Sequence, residues 1–459
     1  MIKRLLIALL LPLFSGAQDS TVIRSIYNYA LTESKAYSRL DYICNEIGPR
    51  LSGSAGAANA VEYTRQELIK AGADSVWLVP CMVPKWERGI QETAWMYDGV
   101  KKIPLRICAL GGSIATPEKG LEAEIIEIKE FDELKQLGRA KIEGKIVFIN
   151  HRMDPTNITT FTSYGQCGKF RYNGAKEAAQ YGAVGVIVRS LSFDNSIYPH
   201  TGAMGYVDSI QKIPACAICT KDADVLSAAL KRQSILKAGF KQSCSNNGEV
   251  LSYNVVAEIR GSEFPNEIIV AGGHLDSWDL ATGAHDDGTG VVQSMEMINT
   301  FKTLGLRPKR SVRCVLFMNE ENGGRGAIAY AAAAESLKEN HIAAIESDRG
   351  GFTPRGFTFE GDTTKIKYAF EFKRLLENYS LPEWENGYAG TDIRKLEKQG
   401  ALLVGYAPDS QRYFDIHHNA ADTFDKVSRR ELELGAAAIT SLVWLLSEYG
   451  VQKNPLQGN

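Results

Sequence analysis

Between residues 253 and 449, short apolar runs with the spacing of strands alternate with longer runs with the spacing of helices. Strands are predicted over 253–259, 267–271, 311–318, 343–347 and 401–404, and helices over 290–304, 328–338, 365–379 and 428–449. The last helix opens with Ser428 and Glu431, the spacing of a capping box. Parallel strands need long crossovers, and a helix in each crossover covers the sheet. The predicted fold is therefore α/β, a mostly parallel mixed sheet with helices on both faces. Ligands of such sheets gather beyond the carboxyl ends of the strands.

Acids and histidines stand at those ends. "EIIVAGG" runs into His274 and Asp276, "SVRCVLFM" into Asn319, Glu320 and Glu321, and "HIAAIES" into Asp348. The stretch "GGHLDSWDLATGAHDDGTG", residues 272–290, adds Asp279, His285, Asp286 and Asp287. Carboxylates this close raise one another's pKa unless a positive charge lies between them. Imidazole and carboxylate without thiolate suit zinc or a similar first-row ion in a catalytic site. On an extended chain His274 and Asp276 project to one face, so Asp276 is expected to accept from the His274 ring N–H and fix its tautomer. Glu320 and Glu321 are neighbours and diverge, one toward a metal and the other toward the attacking water. Each pattern alone is an ordinary loop or capped turn; their repetition at these three strand ends and in the 272–290 stretch points to a metal centre.

The remainder of the chain sets the context. Lys3 and Arg4 precede an apolar run to Phe14 and small residues to Ala17, the pattern of a secretory signal cut after about Ala17. That run is too short to span a bilayer, and no later segment is apolar enough to do so. The expected location is secreted or periplasmic. With 52 basic and 54 acidic residues, and no basic tract, a nucleic-acid surface is excluded. The eight cysteines are too sparse for a disulfide scaffold, and Cys216 and Cys219 in "IPACAICT" suit buried packing. Helices are predicted over 21–42 and 54–71, with "GPRLSGS" as a turn between them. Residues 119–248 carry their own strands ("LEAEIIEI", "GKIVFIN", "VGVIVRS") and helices, a loose polar and aromatic loop over 153–171, and no acid or histidine cluster. They are expected to form an inserted domain without catalytic residues, within a main domain of 18–118 and 249–459.

"GGHLDSWD", "GAHDDGTG", "FMNEENGGRG", "IESDRGG" and "HHNAADTFD" together resemble the zinc metallopeptidases with two co-catalytic metals, a family of exopeptidases that includes aminopeptidases and carboxypeptidase Q. "GPRLSGS" and "GYAGTDI" fit it too, and the insert resembles a protease-associated domain. The resemblance implies two zinc ions, one held by His274, Asp286 and Asp348, the other by Asp286, Glu321 and His418, with Asp286 as bridge. It implies Glu320 as general base and Asp276 as the carboxylate behind His274. His418 is chosen over His417 because the family's ligand stands four residues before the aspartate of a DT pair, here Asp422 and Thr423; His417 is expected to point elsewhere. A cis peptide between Asp286 and Asp287 is implied as well.

The expected function is a secreted exopeptidase that hydrolyses dipeptides or short peptides through a metal-bridged hydroxide, carboxypeptidase Q-like, with a peptide as its partner and an oligomer compatible with the sequence. The alternatives are an aminopeptidase and, in another class, a binding protein on a peptidase scaffold. Tyr406 or Tyr413 is a candidate oxyanion donor, though packing is the simpler role for each. Trp278, Arg349 and the 387–393 loop are candidates for the pocket wall.

Overall fold

In the computed structural model, which describes residues 16–90, 92–233 and 235–452, the chain winds through two eight-stranded sheets. The signal-like segment lies outside the described residues, apart from the backbone of residues 16 and 17. In chain order the strands are β1 (Ser75–Glu87), β2 (Glu92–Asp98), β3 (Lys101–Leu105), β4 (Ile107–Ala109), β5 (Leu121–Ile128), β6 (Ile146–Ile149), β7 (Gly185–Arg189) and β8 (Ala215–Ile218). They continue with β9 (Lys237–Gln242), β10 (Ser245–Ile259), β11 (Phe264–His274), β12 (Arg310–Phe317), β13 (Asn340–Glu346), β14 (Pro354–Glu360), β15 (Glu383–Asn386) and β16 (Leu402–Pro408).

The first sheet has the order β1-β10-β12-β11-β13-β16-β14-β15. Its centre, β12-β11-β13-β16, is parallel, and antiparallel pairing begins at β10 on one side and β14 on the other. β12 is buried along its whole length, and its second half, residues 314–317, is an unbroken apolar run. Alternate side chains go to opposite faces. Val312, Cys314 and Leu316 pack with Phe301 and Leu442, from the helices Thr289–Thr303 and Arg429–Tyr449. Val315 and Phe317 pack with Ala327 and Tyr330, from the helix Arg325–Ser336. The expected mixed sheet with helices on both faces is what forms.

The second sheet, β3-β2-β9-β5-β6-β7-β8-β4, is parallel from β5 to β8. It begins at Glu92, earlier than residue 119, because the β2–β3 hairpin pairs with β9. That pairing joins residues far apart in sequence and has no local signal.

Several local expectations change. The supposed loop over 153–171 gives way to the helix Thr160–Ala179, which buries Ser163, Cys167, Phe170, Gly174 and Ala178. The spacing is helical, but small and polar residues hide it. The helix over 21–42 is two, Gly16–Thr32 and Ala36–Tyr42, and that over 365–379 divides into Thr363–Phe370, Lys373–Leu376 and a 3₁₀ turn. β1 was missed because Pro80 and Pro84 interrupt it; it lies at a sheet edge, where proline is tolerated. Half of the capping box forms. Ser428 Oγ accepts from Glu431 N at 3.4 Å, while the Glu431 carboxylate turns to Thr353 and Arg412. All eight cysteines are buried and free. Among the described residues no helix is long and apolar enough to cross a membrane.

Candidate metal centre and active site

The four parallel strands end together, so the residues after them meet. His274 is the last residue of β11; Glu320 and Glu321 follow β12, Asp348 follows β13, and His418 lies beyond β16 on the turn after the short helix Tyr413–Ile416. Asp286 sits in the tight turn Ala284–Gly288 that opens into Thr289–Thr303, and its peptide bond to Asp287 is cis.

Asp286 is the centre of the cluster. Its Oδ1 lies 3.2 Å from His274 Nε2, which is also 3.3 Å from Asp348 Oδ1. Its Oδ2 lies 3.2 Å from His418 Nε2, which is also 3.1 Å from Glu321 Oε2. All five predicted ligands are therefore together, with Asp286 between two donor sets. Candidate metal groups among the described residues include His274 with Asp286 and Glu321, and Asp286 with His417 and His418.

Both imidazoles are oriented to leave Nε2 toward the cluster. His274 Nδ1 donates to the main-chain oxygen of Asp276 at 3.0 Å, and His418 Nδ1 to that of Thr201 at 3.3 Å. This is the tautomer a metal-binding histidine needs. Asp286 Oδ2 and Glu321 Oε1 are buried without a hydrogen-bond partner, which in a native site calls for an ion or water.

The electrostatics agree. Burial pulls the His274 imidazolium down, but Asp348 and Asp286 outweigh it and hold the pKa well above the usual range. The same contest, with Glu321 and Asp286, raises His418. Burial and the Asp286 charge push Glu321 up to about 8, and burial with Asp348 and Asp286 nearby pushes Glu320 up to about 7 despite His274. Divalent cations would reverse that crowding.

Three sequence expectations are corrected. Asp276 does stand behind His274, but its carboxylate is 4.0 Å from Nδ1 and the main-chain carbonyl makes the bond instead. The Asp276 carboxylate instead accepts from Asn319 N at 2.7 Å and Glu320 N at 3.1 Å, fixing the segment that carries the two glutamates. That segment is a turn, with Asn319 at φ 73°, rather than an extended strand end. Nor does His417 point elsewhere: its Nε2 is 3.6 Å from Asp286 Oδ2 and its ring stacks on His418 with centroids 3.5 Å apart. His418 at φ 61° reverses the chain and brings both rings inward. His418 reaches Asp286 and Glu321 alike, whereas among the described residues His417 pairs with Asp286.

The other acids and histidines of the 272–290 stretch have structural work. Asp279 pairs with Arg88 through two bonds of 2.9 and 2.6 Å. Asp287 accepts from His274 N at 2.9 Å and Gly290 N at 3.0 Å, securing the helix start. His285 Nδ1 accepts from Gly351 N, its ring stacks on Phe352, and burial lowers its pKa to about 4. Asp422 accepts from the main-chain N–H of His285 and Asp286.

Sequence reasoning missed two supports. Arg50 is wholly buried and donates to the carbonyls of Leu275, Thr282 and Gly283, bracing the loop from His274 to Asp286; "GPRLSGS" was its only signal. Thr201, on the loop between β7 and β8, accepts from His418 Nδ1 and donates its N–H to His418 O at 2.9 Å. The second sheet thus supplies no ionisable ligand but helps orient one, a long-range contact with no local motif.

The cluster opens into a cleft of about 870 Å³ whose walls include Phe161, Tyr164 and Arg171 from the second unit and Arg349, Tyr388 and Tyr413 from the first. Arg349 and residues 387–391 of the 387–393 loop line it. Tyr406 is instead packed in the core against Phe357, and Trp278 borders a smaller recess beside His418. A carboxylate outside the donor sets, Glu320, faces the same cleft, an arrangement suited to metal-assisted attack by water on a carbonyl.

Comparison with known proteins agrees. The profile of Peptidase family M28 matches residues 254–443. Carboxypeptidase Q of Bos taurus is 34% identical over 438 residues, 95% of this chain and 89% of the relative. A Peptidase M28 precursor from Shewanella amazonensis superposes with a TM-score of 0.90 at 33% identity, covering 96% of this chain and 99% of the other. A zinc aminopeptidase from Bacillus subtilis shares the fold, at TM-score 0.66 and 20% identity over 92% of this chain and 99% of the other. With a matching profile over the metal-centre half and relatives aligned over nearly its whole length, the chain belongs to Peptidase family M28 and is a metallopeptidase.

Proposed function

We propose that this chain is a secreted, zinc-dependent exopeptidase that hydrolyses dipeptides or short peptides, with carboxypeptidase Q-like activity. The observation that carries this reading is Asp286, which offers one oxygen to each of two histidine–carboxylate sets, as a ligand shared by two cations must. His274, Asp286 and Asp348 would hold one zinc, and Asp286, Glu321 and His418 the other. When bound, such a pair supplies charge that acidifies water and polarises a peptide carbonyl.

Each protein group then has a defined task. Glu320 takes the proton of the attacking water and passes it to the leaving amine. Asp276 positions Glu320 through its main-chain N–H and His274 through a carbonyl. The cleft admits the peptide, and the buried walls around the donor sets exclude bulk water. The segment that builds the second sheet, residues 92–242, acts as a protease-associated insert within the peptidase domain, with residues 1–17 removed on export.

The test is metal analysis combined with hydrolysis of a dipeptide and of its C-terminal amide. Two zinc ions per chain and faster cleavage of the free dipeptide are expected. Equal rates would favour an aminopeptidase, and no hydrolysis by the metal-loaded protein would favour a binding scaffold.

A further inference from the structure

The chain crosses from the first sheet to the second between β1 and β2 and returns between β9 and β10. The two crossings lie side by side: Ile90 N donates to Ser243 Oγ at 3.2 Å, and Gly89, at φ 80°, packs on Ser243 where a Cβ would collide. Arg88 stands at the first crossing, buried, with every N–H of its guanidinium matched. Nε and Nη2 donate to the two oxygens of Asp279 at 2.9 and 2.6 Å. Nη1 donates to Ala109 O at 2.6 Å and to Glu92 Oε1 at 3.1 Å, and Nη2 also to Thr201 Oγ1 at 3.3 Å. Thr201 Oγ1 in turn donates to Ala109 O at 2.9 Å.

These partners stand on both sides of His418. Asp279 lies on the loop from His274 to Asp286, and the Trp278 ring beside it packs edge-on to the His418 ring, with centroids 5.9 Å apart. That indole passes so close over Gly111, in the second unit, that a Cβ there would collide with it. Thr201 holds His418 from the other side, through Nδ1 and through the main chain. His274 is held differently. Its ring and its main-chain N–H are bonded to Asp276 O and Asp287 Oδ2, neither of them a partner of Arg88 among the described residues.

We propose that Arg88 is a positioning residue for the zinc held by Asp286, Glu321 and His418. It locks the second unit to the ligand loop and so fixes His418, without touching metal or substrate. The assignment rests on the two-zinc reading above and adds that one of the two sites depends on the junction between the units. The planar fork is what arginine contributes, since a single lysine nitrogen cannot bond Asp279, Ala109 and Thr201 together.

The full chain, freed of metal, is titrated with zinc against a competing chelator as wild type, Arg88→Gln and Arg88→Lys. The binding step of the His274 set is identified by its loss in Asp348→Ala. The His418-set step is expected to weaken by about 10- to 100-fold in Arg88→Gln, with the His274-set step unchanged. Arg88→Lys keeps the charge beside Asp279 and Glu92 and decides the matter if Arg88→Gln does not fold; the same selective loss is expected. Equal weakening of both steps, or of neither, overturns the proposal. Amide exchange in the metal-free protein gives a second readout. Thr201 N–H, which is given to His418 O, should exchange faster in the variants while His274 N–H does not; unchanged exchange at Thr201, or faster exchange at both, overturns the proposal. If the wild type takes up one zinc or none, the two-zinc reading fails by itself and the exchange rates still decide the role of Arg88.

Discussion

At the scale of single residues, position relative to the strand ends separates function from scaffold. Asp286 and Asp287 are adjacent and both buried, yet one lies between two imidazoles while both oxygens of the other are taken by main-chain N–H groups. The same holds for Glu320 and Glu321. Replacing Glu320 by Gln keeps the shape and removes the proposed base, so kcat is expected to fall by about 100- to 10,000-fold while zinc content stays at the wild-type value; undiminished turnover would assign the base elsewhere. Away from the centre, His341 is buried against Tyr330 and Gln399, and burial with the nearby Arg313 lowers its pKa to about 4. The unfolded chain then binds the proton first as pH falls. The stabilisation is complete above the ordinary pKa of 6.5 and is lost between there and about 4, by up to about 3 kcal/mol. Unfolding midpoints measured from pH 7 to pH 4 should fall less steeply in His341→Gln than in the wild type.

At the scale of elements, the loop from His274 to Asp286 has no regular structure to hold it, and Arg50 replaces that structure. Its guanidinium meets carbonyls rather than a carboxylate, a role lysine cannot fill because it lacks the planar fork. Arg50→Met leaves several buried carbonyls unpaired and is expected to cost about 3 kcal/mol or more, read by denaturant unfolding, together with weaker zinc retention. A stability change without loss of zinc affinity would separate the loop from the metal centre. The strands that carry the ligands were legible because they are apolar on both faces and end in acids or histidines. The first half of the helix Thr160–Ala179 was not, since its buried face there is built of threonine, serine and cysteine before one phenylalanine. β1 was not either, because its two prolines argue against a strand anywhere but at an edge, and edge position is a property of the assembled sheet.

At the scale of the molecule, the two sheets are joined at the candidate metal centre itself. Thr201 clasps His418 through two hydrogen bonds, His200 contacts Asn419, and the second unit supplies one wall of the cleft. Metal and inter-unit contact are therefore expected to support each other. Chelation should lower the thermal midpoint, with a loss on the order of 3 kcal/mol when zinc is at a hundred times its dissociation constant. Thr201→Pro, which removes the N–H given to His418 O, should reduce that difference; a chelation shift of the same size in both proteins would show that the clasp does not bear on the metal centre.

By itself the sequence determined the α/β alternation, the strand ends at which chemistry would gather and the residue types of the metal centre, because periodicity and ligand chemistry are local properties. The roles of the individual ligands came through the resemblance of its motifs. Tertiary structure alone decided that Asp276 holds His274 by a carbonyl, that both His417 and His418 turn inward and that Arg50 and Thr201 brace the centre. Each depends on where one segment meets another distant in sequence, and such contacts are set by the packing of the whole chain rather than by any stretch of it.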